Sequence, residues 1–226
     1  DPYWDNVNLL VRGDTFTDLS DNNLTVTAID GASVDTVTTK FADGSMSFDG
    51  VDDTVSIAND TALDLSSGDW TIECWCYHIG QMTTGTGLFG KRRLDTSYGP
   101  YMCGSEANSD PTKALVYLGS NSGSAWNAII VGTTDFPLDQ WVHFAITRSG
   151  NVYTMWQNGV SIGTTTVSGN LMTVSNPLII GQSLANEGAP SSATWWNGYI
   201  EDFRITKGLA RYTEAFTLPT ASFPTR

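Results

Sequence analysis

The sequence predicts an all-β fold in which two antiparallel sheets pack face to face. The chain of 226 residues is rich in Thr (29), Ser (21) and Gly (22), a composition that favours strands and tight turns over helices. Short β-type runs recur along it and are separated by Gly, Asn, Asp and Ser. No segment of a dozen residues keeps the apolar repeat of about 3.6 residues that is typical of a helix. With 8 Trp, 8 Tyr and 9 Phe, the chain can bury one sizeable core.

Each predicted strand is an apolar or β-branched run that is bounded by turn residues. The best helical candidate is a single turn near residues 209–212. No linker or repeat interrupts the chain, so a single domain is predicted over 1–226, with short joining segments at 1–6 and 218–226. In order, the predicted strands are 8–12, 24–29, 45–48, 54–57, 70–77, 87–91, 114–118, 128–131, 141–148, 152–157, 160–164, 178–180 and 198–205.

Three local patterns indicate parts of the topology. Asn158 and Gly159 stand between two strand-like runs and tolerate the positive φ angles of a type I′ turn, so they predict a two-residue hairpin. In the runs 70–77 and 141–148, both sets of alternating side chains are largely apolar. These two strands are therefore predicted to be central, with a covered face on each side.

Charge and cysteine content limit the classes of partner. The formal net charge is −13, which argues against nucleic acid or an anionic membrane, since both require a basic face. No apolar run approaches the roughly 18 residues of a spanning helix, so no membrane insertion is expected. The three cysteines, Cys74, Cys76 and Cys103, are too few for a disulfide framework and are interpreted as core residues.

A set of motifs in a fixed order resembles the laminin-G-like, concanavalin A-like jelly-roll family. The resemblance covers about 200 residues and implies two antiparallel sheets of six or seven strands, one of them concave, with the chain ends side by side. The motifs are FDGVDD at 48–53, TIECW at 71–75, LFGKR at 88–92, QWVHFAITR at 140–148, NG at 158–159, PLIIG at 177–181 and GYIEDFRI at 198–205.

The ends of the chain carry a narrower resemblance. The opening DPYWDNV at 1–7 and the segment ITKGLARYT at 205–213 resemble the form of this domain in tailed-bacteriophage virion proteins. This implies a non-catalytic module for structure or adhesion at the virion surface, in a capsid decoration, fibre or tail protein. Its expected partners are other virion proteins or copies of itself, and a cell-surface glycan. The alternative is a free carbohydrate-binding lectin module in a secreted or extracellular setting.

Glycoside hydrolases share this fold, so a glycoside hydrolase is the third and least favoured alternative. Hydrolysis usually needs two carboxyl groups that lie about 5 to 9 Å apart. Laminarinase-type enzymes of this fold supply them in a Glu-x-Asp-x-Glu pattern, which none of the five glutamates opens. Glu73 lies on a predicted central strand and is interpreted as a hydrogen-bonded structural residue. The chain is therefore predicted not to be an enzyme.

Aromatic residues near loops are the candidate carbohydrate-binding groups, because exposed rings stack on the C–H face of a sugar. The candidates are Trp126, Trp195, Trp196 and Tyr98. Adjacent strand residues point in opposite directions, so at most one of Trp195 and Trp196 is expected in the core. By contrast, Trp75, Trp141 and Trp156 belong to central strands and are expected to be core residues.

No cofactor is required by the sequence, and a structural calcium ion is the candidate metal. By analogy with the family, it would lie where the N-terminal strand meets the last strand. The candidate ligands are Asp14, the carbonyl group of Gly44 and Asp202. A second acidic group, Asp49 with its neighbours Asp52 and Asp53, is interpreted as ordinary turn chemistry at strand ends.

Overall fold

The computed structural model has the predicted all-β architecture. It describes residues 1–41, 44–82, 85–91, 98–105, 110–119, 126–182 and 195–226. Within these ranges the helices are two single 3₁₀ turns, Trp4–Asn6 and Thr61–Leu63, and neither could cross a bilayer. The strands are β1 (Val7–Val11), β2 (Val26–Ile29), β3 (Ser33–Asp35), β4 (Ser45–Asp49), β5 (Thr54–Ile57), β6 (Trp70–His78), β7 (Gly87–Lys91), β8 (Tyr101–Ser105), β9 (Lys113–Gly119), β10 (Trp126–Asp135), β11 (Trp141–Ser149), β12 (Val152–Gln157), β13 (Val160–Thr166), β14 (Leu178–Ile180) and β15 (Asn197–Lys207).

The strands form two antiparallel sheets, which confirms the predicted jelly-roll sandwich. The eight-stranded sheet has the order β13-β12-β11-β6-β15-β4-β3, and β1 pairs with the part of β15 that β4 leaves free. The seven-stranded sheet has the order β10-β9-β8-β7-β14-β5-β2. The faces that the two sheets turn toward each other enclose the main core, and each sheet also has an outer face.

The two strands predicted to be central are central, and both of their faces are covered along most of their length. In β6, Ile72, Cys74 and Cys76 are fully buried in the main core, while Trp75 is buried in a second cluster on the outer face. β6 pairs with β11 on one side and with β15 on the other. All three cysteines are buried and unbridged, which confirms their interpretation as core residues.

Large side chains from both sheets fill the main core. Each one contributes about 1.5–3 kcal/mol by leaving water. The largest that are less than 2 % exposed include Trp70, Trp196, Tyr101, Tyr153, Phe89, Phe144 and Phe203.

The two chain ends pack on the outer face of the eight-stranded sheet. Trp4 and Phe223 join Val7, Leu10 and Trp75 in the second cluster, and Phe223 is only 1 % exposed. Residues within the segments 1–6 and 218–226, predicted as joining segments, are thus integral to the packing of this sheet.

The Asn158-Gly159 hairpin is confirmed. Asn158 has φ of 49° and Gly159 has φ of 79°, the positive values of the predicted turn type. Gln157 faces Val160 directly across the turn.

The structure differs from the sequence prediction in three places. The short strands β3 and β8 were not predicted, since β3 has polar Ser33 and Asp35 and β8 contains a glycine. Residues 209–212 do not form a helical turn. The Thr71 hydroxyl instead donates to the Leu209 carbonyl group and accepts from the Arg211 amide, so a side chain satisfies this backbone.

Candidate functional site

Two of the predicted aromatic candidates lie together on the outer face of the seven-stranded sheet. The ring centroids of Tyr98 and Trp126 are 5.5 Å apart in an edge-to-face contact. Tyr117 of β9 completes this group, with its centroid 4.9 Å from that of Trp126. All three side chains are half-buried. We call these residues the front cluster.

An irregularity in strand register turns Trp126 outward. In β10, Ala128 pairs with Leu118, but Trp126 pairs with Gly119, so Asn127 is an extra residue. Strict alternation would have placed Trp126 on the same face as Ala128, which packs against the core. The extra residue brings the ring to the outer face, beside Tyr117.

A close backbone approach positions Tyr98. The Gly119 amide donates to the Pro100 carbonyl group over 3.1 Å. A Cβ atom added at Gly119 would lie only 2.0 Å from the carbonyl oxygen of Gly99. Only glycine therefore allows the 98–100 segment to lie this close to the end of β9.

The sequence reasoning missed Tyr117. Its neighbours Val116 and Leu118 are fully buried, so the alternation of β9 was the signal that Tyr117 faces outward. Beyond the front cluster, Ile129 and Val131 of β10 are 51 % and 42 % exposed on the same face. The surface around the rings is thus apolar, with the exposed Asn127 amide beside it.

The other two aromatic candidates have different environments. Trp196 is 1 % exposed and contacts His78 and Phe136 edge to face in the core, so its prediction as a sugar-binding residue is wrong. Trp195 is half-buried and pairs with Gln182 in an isolated bridge. Trp195 is not part of the front cluster, and residues 188–194, which precede it, lie outside the described residues.

The three candidate calcium ligands lie at the junction predicted for them. A Cβ atom on Gly44 would lie 2.8 Å from the Cα atom of Asp14, so these two backbones touch. Asp202 joins the same region because its amide donates to the Arg12 carbonyl group over 2.9 Å. The Asp14 side chain is exposed, whereas Asp202 is fully buried.

Asp202 has the character of a cation ligand. Its Oδ2 atom accepts a hydrogen bond from the Phe223 amide over 2.8 Å, while its buried Oδ1 atom has no hydrogen-bond partner among the described residues. Burial raises the pKa of Asp202 to about 7. An unpaired buried oxygen together with carbonyl and carboxylate oxygens is a donor set that suits Ca²⁺. The residue types therefore fit a structural calcium ion, which would tie the segments after β1 and before β4 to β15.

The second acidic group stabilises turns through hydrogen bonds, as predicted. The carboxylates of Asp49, Asp52 and Asp53 lie within 4.8 Å of one another. Asp53 accepts hydrogen bonds from the amides of Gly31 and Asp49, over 2.6 and 2.8 Å. This buried carboxylate is already used in holding two turns together.

A family model identifies the fold independently. Residues 49–211 match the model of the concanavalin A-like lectin/glucanases superfamily. The chain belongs to this superfamily.

Solved structures of this superfamily's jelly-roll fold superimpose on nearly the whole chain. The binding domain of Paraclostridial Mosquitocidal Protein 1 matches with a TM-score of 0.68 and 15 % identity, over 95 % of this chain and 50 % of that one. Domain 4 of AbnA, a GH43 extracellular arabinanase from Geobacillus stearothermophilus, solved in complex with arabinotriose, matches with a TM-score of 0.63 and 17 % identity, over 90 % and 93 %.

A third match is a structure of botulinum neurotoxin type C, a toxin whose cell entry is described as dependent upon interaction with two ganglioside molecules. It has a TM-score of 0.66 and 15 % identity, over 90 % of this chain and 48 % of that one. The chain thus spans about half the length of the toxin binding domains that it matches. No curated protein matches in sequence.

The superfamily includes glucanases, so the environment of Glu73 bears on catalysis. Glu73 is fully buried and accepts hydrogen bonds from Arg204 (2.7 Å) and Tyr212 (2.6 Å), and the Nε2 atom of His143 lies 3.2 Å away. Burial raises its pKa, but Arg204 and the bonds to His143 and Tyr212 outweigh this and hold the pKa well below its ordinary value of 4.5. A carboxylate held ionised in this way is a structural group, as predicted.

Proposed function

We propose that the chain is a non-catalytic carbohydrate-binding module whose ligand lies on the front cluster. The observation that carries this proposal is the contact of Tyr98, Tyr117 and Trp126 at a surface where each ring is partly exposed. Aromatic faces bind the C–H faces of sugars, and the neighbouring Asn127 amide can hydrogen-bond to sugar hydroxyl groups.

The descriptions of two similar structures support this function. Domain 4 of AbnA was solved with arabinotriose, and the botulinum neurotoxin type C structure concerns binding to gangliosides. Both share the fold of this chain at low identity. The complete burial of Glu73 and its bonds to Arg204 and Tyr212 support the non-catalytic part of the proposal, because a catalytic carboxyl group must come within hydrogen-bond reach of the substrate.

Glycan binding by matched variants tests the site. We expect Trp126→Ala to weaken binding to a glycan array about tenfold or more, since about 1.4 kcal/mol of lost contact changes the Kd tenfold. Tyr3→Ala is the control, because Tyr3 is 48 % exposed and lies outside the front cluster. If Trp126→Ala binds as the control does while retaining its melting temperature, the front cluster is not the site.

We further propose that the module serves adhesion at a virion surface, beside other virion proteins or copies of itself. The support is the resemblance of segments 1–7 and 205–213 to virion proteins. These segments are also neighbours, since Asn6 donates to the Lys207 carbonyl group over 2.9 Å. Mass spectrometry of purified particles tests this context. Recovery of the chain only from the surrounding medium would favour a free, secreted lectin.

A further inference from the structure

A second group of aromatic rings lies on the opposite side of the molecule. Trp141, Tyr77 and Tyr199 face one another in register across β11, β6 and β15. Their ring centroids are 5.8 Å apart for Trp141 and Tyr77, and 5.9 Å apart for Tyr77 and Tyr199. All three are half-buried on the outer face of the eight-stranded sheet. We call these residues the back row.

Trp141 thus differs from the core role that its central strand suggested. β11 is central, but Trp141 is its first residue and points to the outer face, opposite Val142. It packs only in part against the cluster formed by the chain ends. A central position in a sheet does not by itself bury both faces along the full length of a strand.

The polar tips of the back row have no hydrogen-bond partner in the part of the chain that the structure describes. Among the described residues, no hydrogen bond uses the Trp141 Nε1 atom or the hydroxyl groups of Tyr77 and Tyr199, and none of these atoms is buried. Elsewhere on the same sheet face, two polar tips are used, although the buried Trp75 Nε1 atom has no hydrogen-bond partner among the described residues. Trp156 Nε1 donates to Thr147 over 2.8 Å, and the Tyr212 hydroxyl group donates to Glu73 over 2.6 Å.

The chain's own segments cover the neighbouring part of this face. The ring of His143 contacts Tyr212, Phe216 and Phe223, with centroids 5.5 to 6.2 Å away. Two residues before His143, Trp141 makes its ring contact with Tyr77 of the same sheet. Among the described residues, the ring contacts of the back row are thus made within the sheet, while Trp141 also packs against the cluster that contains Phe223.

The polar groups beside Trp141 and beside Tyr199 indicate an uncharged ligand. Asn197 lies two residues before Tyr199 and pairs with the exposed Asp49. Asp139, also exposed, lies two residues before Trp141 and accepts from the Gly80 amide over 3.0 Å. These carboxylates can accept hydrogen bonds from sugar hydroxyl groups and, with the net charge of −13, they disfavour an anionic sugar, although the Lys40 ammonium group lies over the neighbouring Trp75 ring, 4.2 Å from its centroid.

We propose that the back row is a second carbohydrate-binding site, specific for uncharged oligosaccharides. Half-exposed rings with free polar tips suit a ligand that offers both C–H faces and hydroxyl groups. The row spans two strand spacings, about 10 Å, and so accommodates a short oligosaccharide. The front cluster and the back row lie on opposite outer faces, so the module can bridge two glycan chains and gain avidity.

The indole N–H signal of Trp141 tests this site directly. It is assigned by its loss in Trp141→Phe and followed in ¹H–¹⁵N spectra during titration with arabinotriose, cellotetraose and maltotetraose, with sialyllactose as an anionic probe. We expect a saturable shift with at least one uncharged sugar and none with sialyllactose. The shift should persist in Trp126→Ala, which separates this site from the front cluster.

Variants of Tyr199 complete the test. Tyr199→Ala should weaken the sugar-dependent shift about tenfold or more, and Tyr199→Phe, which keeps the ring, should weaken it less. A Trp141 signal that no uncharged sugar moves, while the Trp126 signal moves, would refute the second site and leave the first intact. A Trp141 shift that depends on protein concentration alone would show that the row joins two copies of the chain instead.

Discussion

At the scale of single residues, Glu73 shows how a charge is accommodated in a layer of aromatic rings. Arg204 bonds to it and also to the Asp1 carboxylate, over 2.7 and 2.8 Å. Arg211 adds a second contact to Asp1 over 2.8 Å. Removal of one partner from such a buried ion pair leaves the other charge uncompensated. The resulting loss of folding stability is larger than the net stability that the pair itself contributes.

We expect Glu73→Gln to lower the free energy of unfolding by about 3 kcal/mol at pH 7, because Arg204 loses one of its two carboxylate partners. The pKa of Glu73 is depressed in the folded state, so its contribution is complete above its ordinary value of 4.5 and is lost as the pH falls below it. Urea unfolding at pH 7, 5 and 3 should therefore show a shrinking difference between variant and wild type.

The exposed Glu214 provides the control for this experiment. Glu214→Gln should change stability by less than about 0.5 kcal/mol at each pH. A difference for Glu73→Gln that stays constant from pH 7 to pH 3 would contradict the assignment of Glu73 as an ionised structural group.

At the scale of elements, the Asn158-Gly159 turn links a local signal to a distant segment. The Phe216 amide donates to the Gly159 carbonyl group over 3.0 Å, and a Cβ atom at Gly159 would lie 2.3 Å from the Phe216 carbonyl oxygen. Phe216 in turn stacks on Tyr212 with centroids 3.5 Å apart. The turn thus serves as a docking point for the C-terminal segment.

Two glycine variants separate these roles of the turn. Gly150→Ala tests strain alone, because Gly150 has φ of 59° and its Cβ would meet nothing within 4 Å. We expect Gly150→Ala to lower the free energy of unfolding by about 1 kcal/mol. Gly159→Ala has the same kind of strain, and its Cβ atom also clashes with the Phe216 carbonyl oxygen. It should therefore lower the free energy of unfolding by at least about 1 kcal/mol more than Gly150→Ala does. Equal losses in chemical denaturation would show that the C-terminal segment does not depend on this turn.

At the scale of the whole molecule, the candidate calcium site would join segments that are far apart in sequence. Asp202 lies in β15, Asp14 follows β1, and Gly44 precedes β4. A cation here would replace the missing partner of the Asp202 Oδ1 atom. Such an ion would stabilise the junction of these three segments.

Calcium should therefore raise the melting temperature of the domain. At a free Ca²⁺ concentration 100 times the Kd, the added stability is about 2.7 kcal/mol. Asp202→Asn should abolish this increase, whereas Asp52→Asn in the exposed turn should preserve it. An identical melting curve in calcium and in chelator would exclude the site. If Asp52→Asn abolished the increase and Asp202→Asn preserved it, calcium would instead bind at the turn at residues 49–53.

Much of the fold could be predicted, because alternation with a period of two residues is a property of the extended backbone itself. The core face of β6 and the Asn158-Gly159 turn follow from that rule and from local φ preferences. The candidate site was predictable only in part. Tyr98 and Trp126 were recognised as loop-proximal rings, but Tyr117 was not, and Trp196 proved to be a core residue.

The sequence by itself determined the all-β class, the central strands and the core face of strands with clear alternation, such as β6. Only the tertiary structure decided which aromatic rings reach solvent. One extra residue in β10 reverses the direction of Trp126, and distant chain ends cover Trp75 but leave Trp141 half-exposed. Exposure depends on register and on packing between segments far apart in the chain, and neither is encoded in a local repeat.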